Sequence, residues 1–415
     1  EIECRLVGSE MCIRDRVICM YGLDINSPFN SMTNPPASFG EISKMDEINW
    51  LLILEEIFTF LEKTPATISY WLSNLDEILW TWPIHDPGPP PTIPKLNFLV
   101  LFDLNIEYIL AKKIFMSVKL GIAPIAWSND DMPELGGDTP LEQCLLEASK
   151  AGFIGIESGG KFPKKSEELI PKLNEFNLNL CSGWYGANLR KNTVEEEKKV
   201  IQDQLKLFKD CNAPCIVFAE VAGSIQGDPD KKLSTRPKMD EEESKNYYKK
   251  ISEMGKYLQD QGMPLAYHHH MGTVIETEED TIKLLENTDD SVKLTLDTGH
   301  MLFAQGNSLE ILKNFSDRVI HMHCKDIRKN VLDKSLKEDL SFRGAFLEGA
   351  FTVPGDGCID YKPLFDVLKE KNYSGWLVVE AEQDPAKANP FEYAKIGYKY
   401  LTETLNKSNI QIFKN

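Results

Sequence analysis

The sequence lacks the cysteine pattern of a disulfide-stabilised or zinc-knuckle protein. Its nine cysteines are an odd number spread over 415 residues, and no two of them are spaced as Cys-x-x-Cys. A disulfide framework needs paired cysteines in a short chain, and a four-cysteine zinc site needs Cys-x-x-Cys pairs, so neither is predicted. We therefore expect a protein of a reducing, cytoplasmic environment.

Long apolar runs and an excess of basic residues are also missing. The most apolar stretches, 50–61 and 96–110, are interrupted by acidic residues and are too short to span a bilayer, and no signal-peptide pattern is seen. The formal net charge of −18 argues against a broad surface for binding phosphate backbones. We expect neither a membrane nor a nucleic acid as a partner.

The first 115 residues differ in character from the rest. They contain proline clusters at 35–36 and 87–91 and no regular alternation of strands and helices, although some helix is predicted. The run 7–16 resembles translated sequencing-adapter sequence, and Met116 followed by a strand-like run resembles a natural start. We therefore expect residues 1–115 to be an irregular, partly helical extension that is foreign to the functional protein. A genuine N-terminal interaction segment is the alternative.

From residue 118 onward, a strand, a polar loop and an amphipathic helix alternate. Eight strands are predicted, over 119–127, 153–157, 178–184, 215–220, 264–268, 293–297, 319–323 and 375–380. Apolar spacings of three and four residues predict helices over 140–151, 166–176, 194–211, 241–261, 278–287, 308–315, 361–371 and 390–405. Eight such units in about 290 residues have the size of a (β/α)8 TIM barrel. We predict that residues 116–415 form one catalytic domain with this α/β fold.

Histidines concentrate at the predicted strand ends. Six of the seven lie between His268 and His323, in the groups 268–270, 300 and 321–323. Catalytic groups of a TIM barrel come from the C-terminal ends of its strands, and a divalent ion such as Mn²⁺ or Co²⁺ binds mixed imidazole and carboxylate ligands. The predicted metal ligands each end or nearly end a strand, and they are His268, Asp297, His323 and Glu380.

Aromatic side chains also end or follow two of the predicted strands. Trp127 ends the first strand, and Trp184 and Tyr185 stand at the end of the third. An aromatic ring covers the apolar face of a polyol well, so these side chains are predicted to line a pocket, with core packing at the barrel rim as the alternative.

Seven segments in the second part of the chain carry a family resemblance. They are GIAPIAWSNDD (121–131), GIE (155–157), YHHHMGT (267–273), LDTGH (296–300), HMHCKD (321–326), VPGDGCID (353–360) and VEAEQDP (379–385). In their order and spacing the region 119–405 resembles the xylose-isomerase-like barrels and, among them, the inosose dehydratase family. That superfamily usually has glutamate where this chain has His268, so His270 and Glu220 remain alternatives for the ligand on the fifth strand.

The resemblance implies a metal-dependent hydro-lyase of inositol catabolism. Its expected substrate is a small polyol ketone, 2-keto-myo-inositol (scyllo-inosose), which would lose water through a metal-stabilised enediolate to give a trihydroxycyclohexane-dione. Such a reaction needs a general base and a general acid within hydrogen-bond reach of the ring. The candidates for these catalytic roles, by location, are Glu157, Lys161, His270 and His300. A homo-oligomer is left open.

Three other functions are compatible with this sequence. A ketose isomerase or epimerase shares the enediolate but returns the proton instead of expelling hydroxide. A DNA-repair endonuclease would need a basic groove, which the acidic balance disfavours. A non-catalytic sugar-binding barrel would share the fold without turnover.

Overall fold

Eight parallel strands close into a barrel in the computed structural model, which describes residues 117–130 and 132–414. The last barrel strand, β10 (Trp376–Val379), pairs with the first, β1 (Ser117–Ile122), with Lys119 opposite Trp376, and this pairing completes the ring. The predicted TIM barrel is confirmed, whereas the predicted N-terminal extension lies outside the described residues. The barrel strands are β1 (Ser117–Ile122), β2 (Gly155–Ser158), β3 (Asn179–Ala187), β4 (Ile216–Glu220), β5 (Leu265–His268), β6 (Val292–Asp297), β7 (Val319–Cys324) and β10 (Trp376–Val379).

Helices connect the strands and pack their apolar faces against them. In the long helix α5 (Glu241–Asp260), Tyr247, Ile251 and Leu258 are buried at helical spacing. None of the described helices is long and apolar enough to cross a membrane. The helices are α1 (Leu141–Ala151), α2 (Ser166–Glu175), α3 (Val194–Val200), α4 (Gln202–Asp210), α5 (Glu241–Asp260), α6 (Glu278–Glu286), α7 (Thr298–Phe303), α8 (Ser308–Phe315), α9 (Lys329–Glu338), α10 (Phe342–Leu347), α11 (Lys362–Glu370) and α12 (Pro390–Lys407).

Several element boundaries differ from the prediction. Strand β1 ends at Ile122 because Pro124 begins a 3-10 turn and offers no backbone N–H to the sheet. The helix predicted over 194–211 is divided at Ile201 into α3 and α4. An insertion between β7 and β10 was not predicted, and neither was α7. The insertion contains α9, α10 and an antiparallel pair of strands, β8 (Asp326–Ile327) and β9 (Phe351–Thr352). Outside the insertion, a last strand near the end of the chain, β11 (Gln411–Ile412), pairs with β1.

The barrel interior is apolar at one level and polar above it. At the apolar level the indole of Trp376 needs glycine beside it, since a Cβ at Gly155 would come within 2.3 Å of that ring. Val378 and Cys181 pack at the same level. Towards the C-terminal ends of the strands, the buried side chains become histidines and carboxylates. The side-chain layer that holds the candidate site therefore rests on a filled barrel floor.

Candidate active site

Four side chains meet at the C-terminal ends of β5, β6, β7 and β10, and we call them the strand-end cluster: His268, Asp297, His323 and Glu380. His323 Nδ1 lies 3.1 Å from His268 Nε2 and 3.5 Å from Asp297 Oδ2. The same Nδ1 lies 3.2 Å from Glu380 Oε2. In-register pairing of Asp297 with His323 brings their side chains together. These are the four ligands predicted from the sequence, and the fold gathers all of them.

The strand-end cluster offers atoms that fit a divalent metal. Asp297 Oδ2 is buried and accepts no hydrogen bond, and its nearest ammonium group, Lys325 Nζ, is 3.7 Å away. A buried carboxylate oxygen in this state can accept a closer cation. His268, Asp297 and Glu380, together with His300, can each present one ligand atom within 4.8 Å of the others. Mixed imidazole and carboxylate donors are the ligands that divalent ions such as Mn²⁺, Co²⁺ and Zn²⁺ accept.

Glu157 lies beneath His323 in the barrel interior. Its Oε1 is 3.1 Å from His323 Nε2 and 2.9 Å from His321 Nε2. Burial raises the pKa of Glu157, but the charges of His323 and His321 outweigh burial and hold that pKa well below its usual range. A carboxylate that accepts the Nε2 hydrogen of a histidine fixes the ring and leaves Nδ1 for a ligand. The contacts of Glu157 therefore suit the support of His323.

His270 and His300 lie side by side next to the cluster. Their ring centroids are 3.9 Å apart. The centroids of His270 and His300 lie at nearly equal distances from the centroid of His268, 5.5 and 5.4 Å. Burial lowers the pKa of both imidazoles well below the usual value, so both are neutral near pH 7. A neutral imidazole can accept a proton, which is the property that a general base needs.

Two buried residues that received no role in the sequence analysis border the cluster. Lys325 Nζ lies 2.9 Å from Glu380 Oε2 and 2.8 Å from Glu382 Oε2. Burial lowers the pKa of Lys325, but the two glutamates outweigh burial and raise it. Burial raises the pKa of Glu382 to about 7, although Lys325 acts against this shift. The two-residue alternation from His323 to Lys325, and from Glu380 to Glu382, is the signal that could have revealed them.

Lys161 donates its hydrogen bonds to the backbone of a loop. Its exposed Nζ donates to the carbonyl oxygens of Gly137 and Thr139, at 2.7 and 2.5 Å. Glu220, an alternative for the fifth-strand ligand, accepts the backbone N–H groups of Ala222 and Arg190, at 2.9 and 3.2 Å. The structure therefore engages Lys161 and Glu220 with loop backbone and does not bring them to the cluster.

Only one of the three aromatic residues predicted to line a pocket borders the cluster. Trp184 is 37% exposed and packs edge-on against His268 and His270, with ring centroids 5.5 and 5.4 Å apart. Trp127 is buried and donates to Glu147, and Tyr185 is buried and donates to Glu197. Trp184 can therefore cover a bound ring, whereas the other two have the contacts expected of packing at the barrel rim.

Comparison with known proteins gives consistent results. Residues 145–404 match the family described as xylose isomerase-like TIM barrel. The chain is 44% identical over 288 residues to the inosose dehydratase of Clostridium beijerinckii, covering 69% of this chain and 97% of that protein. It is 43% identical over 286 residues to the rhizopine catabolism protein MocC of Rhizobium meliloti, covering 69% of this chain and 88% of that protein.

Solved structures of low sequence identity share the fold. The IOLI protein with a bound zinc atom matches with a TM-score of 0.53 at 18% identity, over 70% of this chain and 99% of that chain. The probable 3-DHS dehydratase AsbF from Bacillus anthracis matches with a TM-score of 0.52 at 15% identity, over 69% of this chain and 99% of that chain. These structures support the fold, whereas the family match and the sequence relatives show that the chain belongs to the inosose dehydratase family of xylose isomerase-like TIM barrels.

Proposed function

We propose that the protein is a metal-dependent hydro-lyase that removes water from 2-keto-myo-inositol. The observation that carries the proposal is the strand-end cluster, where imidazole and carboxylate atoms converge and Asp297 Oδ2 has no hydrogen-bond partner. Membership of the inosose dehydratase family identifies the substrate class, since the relatives of that name match over nearly their whole length.

A divalent metal is the cofactor that these side chains suit. His268, Asp297, His323 and Glu380 would hold the ion, and we propose Mn²⁺ or Co²⁺ because both accept mixed nitrogen and oxygen ligands. When bound, the ion supplies Lewis-acid polarisation of the substrate's ketone oxygen. The zinc atom of the similar IOLI barrel supports a divalent ion at this kind of fold.

His270 supplies the proton chemistry in this proposal. Its Nδ1–H donates to the carbonyl oxygen of Met271 and leaves Nε2 as the acceptor, whereas Lys325 Nζ and the Met271 N–H face both ring nitrogens of His300. The neutral imidazole of His270 takes the proton from the carbon beside the ketone, and the C–H electron pair forms a carbon–carbon double bond as the neighbouring C–O bond breaks. The imidazolium then gives its proton to the departing hydroxyl, so that water leaves and the resulting enol converts to the dione. No oxidant or reductant is needed.

The remaining residues hold this arrangement in place. Glu157 fixes the orientation of His323, and Trp184 offers an aromatic face to the apolar side of the ring. Lys161 contacts loop carbonyls, so the proposal assigns it no part in the proton transfers.

Turnover of scyllo-inosose by metal-reconstituted enzyme tests the proposal. The full chain is stripped of metal, reloaded with Mn²⁺ or Co²⁺ and mixed with substrate, and the absorbance of the new dione is followed. We expect turnover with at least one of the two ions and none after chelation. Failure with both ions contradicts the proposal, and exchange of the substrate's proton with solvent without loss of water would indicate an isomerase or epimerase instead.

A further inference from the structure

Lys325 places a permanent positive charge inside a second set of potential metal ligands. Its side chain is fully buried, and its Nζ lies 2.8 Å from His300 Nε2. The same Nζ lies 2.8 Å from Glu382 Oε2 and 2.9 Å from Glu380 Oε2. Three close polar partners on different loops and strand ends are an arrangement that a coordinated cation also has.

The residues around this ammonium group could hold a metal themselves. His270, His300 and Glu382 are all buried, and each can present one ligand atom within 4.8 Å of the others. This second set adjoins the strand-end cluster, because His300 also lies within reach of His268, Asp297 and Glu380. Enzymes with two metal ions hold them about 3.5–4 Å apart, on neighbouring sets of this kind.

We propose that Lys325 acts as a built-in cation that takes the place of a second divalent metal and keeps the centre mononuclear. The inference rests on the proposed metal site in the strand-end cluster. It also agrees with the charges, since one divalent ion and one ammonium group balance the carboxylates of Asp297, Glu380 and Glu382. Without Lys325, one buried carboxylate would lack a counter-charge, and the site would gain affinity for another cation.

Counting bound metal in two variants separates the charge of Lys325 from its volume. Lys325→Ala removes the ammonium group and leaves room, whereas Lys325→Met removes the charge and keeps the space filled. After saturation with Mn²⁺ and gel filtration of the full chain, we expect one ion per chain for the wild type and Lys325→Met. We expect a doubling to two ions for Lys325→Ala. A folded Lys325→Ala chain that still binds one ion overturns the inference.

Electron paramagnetic resonance of the wild-type chain tests the same inference without any variant. A single Mn²⁺ ion gives an uncoupled six-line spectrum, whereas two ions about 3.5–4 Å apart are magnetically coupled. The chain is saturated with Mn²⁺ and unbound ions, which give a six-line spectrum of their own, are removed by gel filtration. We expect the uncoupled spectrum from the bound ion, and a coupled spectrum would overturn the inference. A wild-type chain that binds no divalent metal would instead contradict the proposed metal site, and the inference would fall with it.

Discussion

The two halves of the barrel differ in the hydrogen-bond partners of their strand-end carboxylates. In the half formed by β1 to β4, Glu220 accepts hydrogen bonds from two backbone N–H groups, and Glu157 accepts hydrogen bonds from the Nε2 atoms of His321 and His323. In the half formed by β5, β6, β7 and β10, Asp297 keeps one buried oxygen without a hydrogen-bond partner. The comparison shows that a carboxylate at a strand end is available to a ligand only where the backbone and neighbouring rings leave its oxygens free.

Asp297→Asn is the substitution expected to damage the metal-binding half most. Asparagine keeps the shape and can still cap α7, but it removes the negative charge next to His268 and His323. We expect kcat/KM to fall by more than about 10³-fold, since several kcal/mol of charge stabilisation would go with the metal. Metal content and turnover of the purified chain check this result. Unchanged metal content would show that Asp297 is not a ligand.

His270→Asn tests whether the third histidine of the 268–270 run is a ligand or a proton carrier. If His270 transfers protons, kcat should fall by about 10²–10⁴-fold while metal content stays unchanged. His268→Asn is the matched comparison and should reduce metal content instead. Loss of metal in the His270 variant alone would make His270 the fifth-strand ligand.

Glu157→Gln tests whether the half formed by β1 to β4 supports the metal site by orienting His323. Loss of a carboxylate behind a metal-binding histidine typically weakens metal affinity by about 10–100-fold. We expect that decrease in a metal titration, with kcat largely restored at saturating metal. A kcat that stays low at saturating metal would show that Glu157 takes a direct part in the reaction.

Glu220→Gln should change the pH dependence of stability more than it changes activity. Burial raises the pKa of Glu220 from its ordinary 4.5 to about 7, so the folded state binds this proton more tightly than the unfolded state. Loss of the proton from the Glu220 carboxyl therefore makes the free energy of unfolding fall as pH rises from 4.5 to 7. Urea titrations at pH 5 and pH 8 should show a smaller fall in the variant.

The exposed Glu338 provides the control for that measurement, because its side chain faces solvent. Glu338→Gln should leave the pH dependence of the free energy of unfolding unchanged. If Glu220→Gln behaves like this control, burial of Glu220 does not affect stability in that pH range.

The sequence predicted the barrel and the meeting of its strand-end residues, but it did not predict the contacts made by loops. Alternation of strands and helices is a local pattern, and in a barrel it places all strand ends on one face, so the meeting of His268 with Asp297 followed from topology. The engagement of Lys161 and Glu220 could not be predicted in the same way. It depends on where loop carbonyl and N–H groups lie, and these positions are set by folded loops and not by residue type.

The burial of Lys325 is a second feature that could not be predicted from the sequence. The two-residue alternation of β7 continues past the end of the strand and brings its side chain into the same layer as His323. Buried lysine is rare, so residue type alone gave no reason to expect Lys325 inside the site. Only the folded positions of Glu380 and Glu382 explain its burial.

Asp297 assigns a different task to each of its two oxygens. Oδ1 accepts the backbone N–H of His300 at 2.7 Å and so starts α7, while Oδ2 faces His268 and His323. Glutamate has the same charge but one more methylene group, and it is a poor residue for starting a helix in this way. Asp297→Glu would therefore misplace either the helix start or the oxygen offered to the ion. At position 297 the start of α7 therefore favours aspartate over glutamate as the residue that offers a carboxylate oxygen to the ion.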